Sequence, residues 1–149
     1  MRLRSVFLLC FAAATLVAAD VKVEFQDWMT PSKPAFPHDP EFAPDGSVWY
    51  TAQQASAIGR LDPATGQFKE WPTPTANSGP HGIVADKDGN IWFTENSAGK
   101  IGKLDPKSGK ITEYPMPDAA ARDPHTGVFD GNANLWFTVQ QGNFLGKLN

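Results

Sequence analysis

The chain has 149 residues, a formal net charge of −3, and ten Phe, five Trp and two Tyr, enough apolar volume for one packed domain. It contains no run of Lys or Arg, which argues against nucleic acid or an anionic membrane as a partner. Its single cysteine, Cys10, excludes an internal disulfide framework.

The first element is a targeting segment, residues 1–19. Arg2 and Arg4 supply a basic start, Ser5 to Val17 is apolar and small, and Ala18-Ala19 offers a cleavage site before Asp20. The apolar run is too short to span a bilayer and no stop-transfer pattern follows, so it reads as a cleavable signal peptide. The expected product is periplasmic or secreted, with no membrane partner after cleavage. Removing Arg2 and Arg4 leaves 11 basic against 16 acidic residues.

From residue 20 to 149 the chain is a repeat. A leading strand at 21–28 ends in Trp28, and three units follow at 37–79, 80–123 and 124–149. Pro37-His38, Pro80-His81 and Pro124-His125 recur at spacings of 43 and 44, as do "SVWYT" from Ser47, "NIWFT" from Asn90 and "NLWFT" from Asn134. "IGRLDP" at Ile58, "IGKLDP" at Ile101 and "LGKLN" at Leu145 keep the same register, and Trp28, Trp71 and Tyr114 close successive alternating runs. Each unit reads as short strands separated by Asp/Gly and Asp-Pro turns, with no helical period outside the targeting segment.

Four antiparallel strands every 40 to 45 residues predict an all-β fold of β-propeller blades. Trp49, Trp92 and Trp136 share one position on the second strand, where a flat ring can fill the space between blades. About three blades are too few to close a ring. The expectation is a piece of a larger propeller or, if the chain is complete, self-association through open blade edges.

With the units aligned, "PHGIVADKDGNIWFTENSAGKIGKLDP" resembles the streptogramin B lyases, the virginiamycin B lyase family, over residues 21–149. The resemblance implies a propeller that opens a small cyclic depsipeptide by elimination at its ester bond. It would be a carbon–oxygen lyase assisted by magnesium. A histidine base suits removal of a proton beside a carbonyl, and carboxylates suit a hard cation. The family uses two histidines at one repeat position in adjacent blades. Two metal-holding glutamates lie two residues before the second histidine and fourteen after it. By this resemblance the catalytic candidates are His81, His125 and His38, and the Mg2+ candidates are Glu95 and Asp123. With His38 and His81 as the pair, Glu95 stands at the later glutamate position and Gly79 at the earlier one. With His81 and His125, Asp123 stands at the earlier position and Val139 at the later one.

The residues also admit plainer readings. Histidines repeated in every unit can be framework residues whose ring nitrogens satisfy backbone groups of the next blade. Glu95 falls where the other units have Ala52 and Val139, so it is either a solvated loop residue or part of a site. Asp123 can equally be a turn residue or a partner for Arg122. Asp62-Pro63 and Asp105-Pro106 read as turn chemistry. Serine-nucleophile, phosphate-loop, dinucleotide and zinc-spacing motifs are absent. The alternative to a lyase is therefore a non-catalytic propeller that binds partners through its loop faces.

Overall fold

A computed structural model describes residues 22–149. The signal peptide expected at 1–19 lies outside the described residues. Those residues form eleven strands and no helix. Blade 1 is β1 (Pro37–Phe42), β2 (Val48–Ala52), β3 (Ala57–Asp62) and β4 (Gln67–Pro72); blade 2 is β5 (Pro80–Ala85), β6 (Ile91–Glu95), β7 (Lys100–Asp105) and β8 (Lys110–Pro115). Blade 3 has β9 (Pro124–Phe129), β10 (Leu135–Val139) and β11 (Phe144–Leu148). Each blade is an antiparallel meander in sequence order, and the three sheets are separate. Consecutive blades meet through their first strands, β1 beside β5 and β5 beside β9.

The recurrent motifs are the packing units of this architecture. Leu and Ile of one blade bury against aromatic residues of the next: Trp49, Ile58 and Trp71 join Ile83, Ile91, Phe93 and Leu104 in one core. Ile101, with Val84 and Trp92 packed beside it, joins Leu135 and Phe137 in a second. The expected inter-blade tryptophans are thus in place. Trp49 is buried and stacks on Trp71 at 5.3 Å, while Trp92 stacks on Tyr114 at 5.8 Å. Trp136, with no described blade beyond it, is 41% exposed.

The glycine of "IGKLDP" has a specific cause. Gly102 pairs directly with Phe93 across β6 and β7, and a Cβ on Gly102 would overlap the Phe93 ring. Gly59 under Tyr50 and Gly146 under Phe137 repeat the arrangement. The Asp-Pro turns also behave as expected, with Asp62 Oδ1 accepting from the Ala64 N–H at 3.0 Å and Asp105 Oδ1 from Lys107 at 2.9 Å.

One expectation needs correction. Residues 22–28 of the leading segment form no strand. The segment nevertheless holds the place of an outer strand from a preceding blade. A Cβ on Gly66 would lie 3.7 Å from the Trp28 ring, as one on Gly109 would lie 3.1 Å from Trp71. Ser32 Oγ donates to Glu70 Oε2 at 2.5 Å, and Thr75 Oγ1 donates to Glu113 Oε2 at 2.7 Å one repeat later. Side-chain contacts to the next blade survive, but among the described residues no neighbouring third strand supplies a hydrogen-bonding ladder, and a strand needs that ladder.

Candidate histidine site on the inner strands

Each first strand carries its histidine in a β-bulge. The register slips between Pro37 and Pro40, between Pro80 and Ile83, and opposite Phe137–Val139, so two residues face one on the second strand. Bulges re-aim side chains. Here the facing residue is the threonine of the "W-[YF]-T" motif, whose hydroxyl fills the gap in the ladder. Thr51 Oγ1 accepts from the Asp39 N–H at 3.1 Å and donates to the His81 carbonyl at 2.8 Å. Thr94 Oγ1 accepts from Gly82 at 2.9 Å and donates to the carbonyl of His125. Blades are therefore tied by threonine hydroxyls to histidine backbone carbonyls. The framework reading had assigned that role to the histidine rings.

The residue before each Pro-His pair has a left-handed backbone: Phe36 at φ 50°, Gly79 at 62° and Asp123 at 63°. Its carbonyl accepts from the loop after the second strand, Gln53 to Phe36, Asn96 to Gly79 and Gln140 to Asp123. Gly and Asp are at ease in that conformation. Asp123 thus does the work of a turn residue, and Arg122 bonds the Ala119 carbonyl.

The three imidazoles converge. Ring centroids of His38 and His81 lie 3.6 Å apart, and those of His81 and His125 3.7 Å apart. His81, in the middle, is buried, and its Nδ1 has no hydrogen-bond partner. Burial first, and then the neighbouring His125 and His38, push its pKa below the ordinary value, while the carboxylates of Asp39 and Asp123 oppose the shift. The shift favours the neutral ring, the form a proton acceptor needs. His38 is exposed and His125 half-buried, with His38 Nδ1 2.8 Å from Asp39 Oδ1 and His125 Nδ1 3.2 Å from Thr126 Oγ1.

Asp39 escaped the sequence reading. One donor atom each from His38, Asp39 and His81 lie within 4.8 Å of one another. The available signal was its singularity: the residue after the histidine is Asp in the first unit, Gly82 in the second and Thr126 in the third.

Glu95 stands apart from this cluster. It shares its strand face with Ile91 and Phe93, in the slot of Ala52 and Val139, and is fully buried. The solvated-loop reading is thereby excluded. Neither carboxylate oxygen has a hydrogen-bond partner. Burial lifts its pKa to about 7, with the Ser78 hydroxyl acting in the opposite direction.

The magnesium implied by the resemblance does not fit these residues. Mg2+ needs hard oxygen ligands in near-octahedral array and keeps several waters. Glu95 is sealed from solvent, and a Cβ at Gly79 would collide with the Ser97 hydroxyl. Glu113, whose charge reaches Glu95, is held by Lys100 Nζ at 2.6 Å and by Thr75. At the other register, buried Val139 stands where the second carboxylate would.

Comparison with known proteins places this geometry. The family model described as the virginiamycin B lyase family matches residues 10–149. Among solved structures, the chain is similar to virginiamycin B lyase from Staphylococcus aureus, with 35% identity and a TM-score of 0.77 over 83% of this chain and 41% of that one. A streptogramin B lyase structure is similar at 35% identity and a TM-score of 0.78, again over 83% of this chain and 41% of that one. A catalytically inactive histidine-to-alanine variant of the Staphylococcus aureus enzyme, with quinupristin, gives 35% identity, a TM-score of 0.77 and the same shares of the two chains. The chain thus spans about two fifths of the length of these lyases. No curated protein gives a significant match.

Proposed function

As the chain belongs to the virginiamycin B lyase family, we propose that it takes part in the linearisation of streptogramin B-type cyclic depsipeptides by elimination, with His81 as the general base. One observation carries this reading: a buried imidazole held between two more accessible ones where the inner strands converge. In the reaction, His81 accepts a proton from the carbon beside a carbonyl. The electron pair of that C–H bond becomes a C=C bond, the ester C–O bond breaks, and the carboxylate departs. Burial, and after it the proximity of His125 and His38, favours the neutral form of this base. No step is routed through magnesium, since the carboxylate pair is incomplete in both registers.

The test uses quinupristin, the ligand named with the Staphylococcus aureus variant. Incubation with the purified chain should yield a linear product of unchanged mass, because elimination adds no water. His81→Ala should abolish it with the fold retained by circular dichroism. A hydrolysed product, heavier by one water, or no turnover at stoichiometric enzyme would overturn the proposal. Gly79 and Val139, standing where the family has glutamates, favour a second reading in which the chain binds such a ligand without converting it. Saturable quinupristin binding without product would select that reading.

A further inference from the structure

We propose that His38, Asp39 and His81 form a binding site for a divalent first-row transition cation of the zinc type, bridging blades 1 and 2. Three observations converge on it. The donor atoms of the two imidazoles and one carboxylate lie within 4.8 Å of one another, so small side-chain movements bring them onto one ion. His81, 6% exposed, has an Nδ1 sealed from solvent without any hydrogen-bond partner, and a buried polar atom of this kind calls for a ligand. Asp39 is partly exposed and His38 lies at the surface, so the cluster has an open side through which an ion can enter.

The donor set selects the ion. Two imidazoles and a carboxylate suit Zn2+, Co2+ or Ni2+, which favour nitrogen ligands, over Mg2+, which favours oxygen. The bulges of β1 and β5 position the donors. The Thr51 hydroxyl, bonded to the Asp39 N–H and the His81 carbonyl, holds both ligand-bearing segments in one place. The ion would thus join two blades that the threonine already ties. The site stands independently of the lyase reading, because its readout is metal binding and not turnover.

The experiment titrates the chain with Zn2+ by calorimetry and with Co2+ by visible absorption, with Mg2+ in parallel. Expected are one saturable Zn2+ site, a Co2+ spectrum of low-symmetry nitrogen and oxygen ligation, and no displacement by excess Mg2+. Because His81 is also the proposed general base, the deciding variants are His38→Ala and Asp39→Asn, on the open side. Each should weaken Zn2+ about 10-fold or more with unchanged circular dichroism. Glu95→Gln should leave the affinity as it was. Absence of saturable Zn2+ binding, full affinity in both His38→Ala and Asp39→Asn, or competition by Mg2+ would overturn the assignment.

Discussion

Glu95 makes the sharpest stability prediction. Its slot is apolar in the two sister blades, and in blade 2 it buries a carboxyl group without a hydrogen-bond partner, the nearby Ser78 hydroxyl offsetting only part of the cost of burial. The folded state holds its pKa at about 7, against an ordinary value of 4.5. A carboxyl group with a raised folded pKa favours folding in its protonated form. Its contribution is fully present below the unfolded value and is lost as pH rises through the folded one. The whole span corresponds to about 3 kcal/mol. Glu95→Gln keeps the shape and removes the charge. Urea unfolding of both proteins should therefore show the variant gaining on the parent by about 2 to 3 kcal/mol between pH 5 and pH 8. Other titrating groups, His81 among them, are common to both proteins and cancel in the difference. Added Mg2+ should leave the gap unchanged. A gap that is constant with pH, or that narrows as pH rises, would refute the argument that Glu95 is buried without a partner.

Two further substitutions test the packing rules. Thr94→Val removes a hydroxyl that serves both Gly82 and the His125 carbonyl, and should cost about 1 to 3 kcal/mol in urea unfolding. Thr138→Val should cost less, since among the described residues that hydroxyl bonds only the Thr126 N–H; equal losses would mean that the inter-blade bond contributes nothing. Gly102→Ala forces a methyl group into the Phe93 ring and should cost about 1 to 3 kcal/mol, whereas Gly131→Ala meets open space and should be neutral. Matching midpoints for the two alanine variants would remove the steric account of the third-strand glycine.

What could be read from residues alone divides along the repeat itself. Positions that recur, such as the Trp of "NIWFT" and the Gly of "IGKLDP", recur because every blade solves the same problem of burying one sheet face against the next. A single chain then contains its own alignment, and blade boundaries follow from it. The leading segment misled for the same reason: Trp28 keeps its place in the pattern, yet side-chain register cannot make a strand where the described residues offer no partner backbone. The exceptions are Glu95 and Asp39, where one blade departs from the others. Recognising an exception did not reveal its environment, because burial depends on which face of β6 the residue occupies and on what blade 1 presents to it. Glu95, open to reading as a solvated loop residue or as part of a site, proves to be a buried carboxyl group in a slot that is apolar in the sister blades. Asp39, one residue beyond a repeated histidine, carried no expectation, and the bulge sets it beside the imidazoles. The same bulge explains why three histidines converge. An extra residue in each first strand needs a hydroxyl opposite to complete the ladder, and the motif threonine provides it. A blade that lost this threonine would lose the histidine's position as well, so the geometry of the candidate site and the cohesion of the blades rest on the same hydrogen bonds.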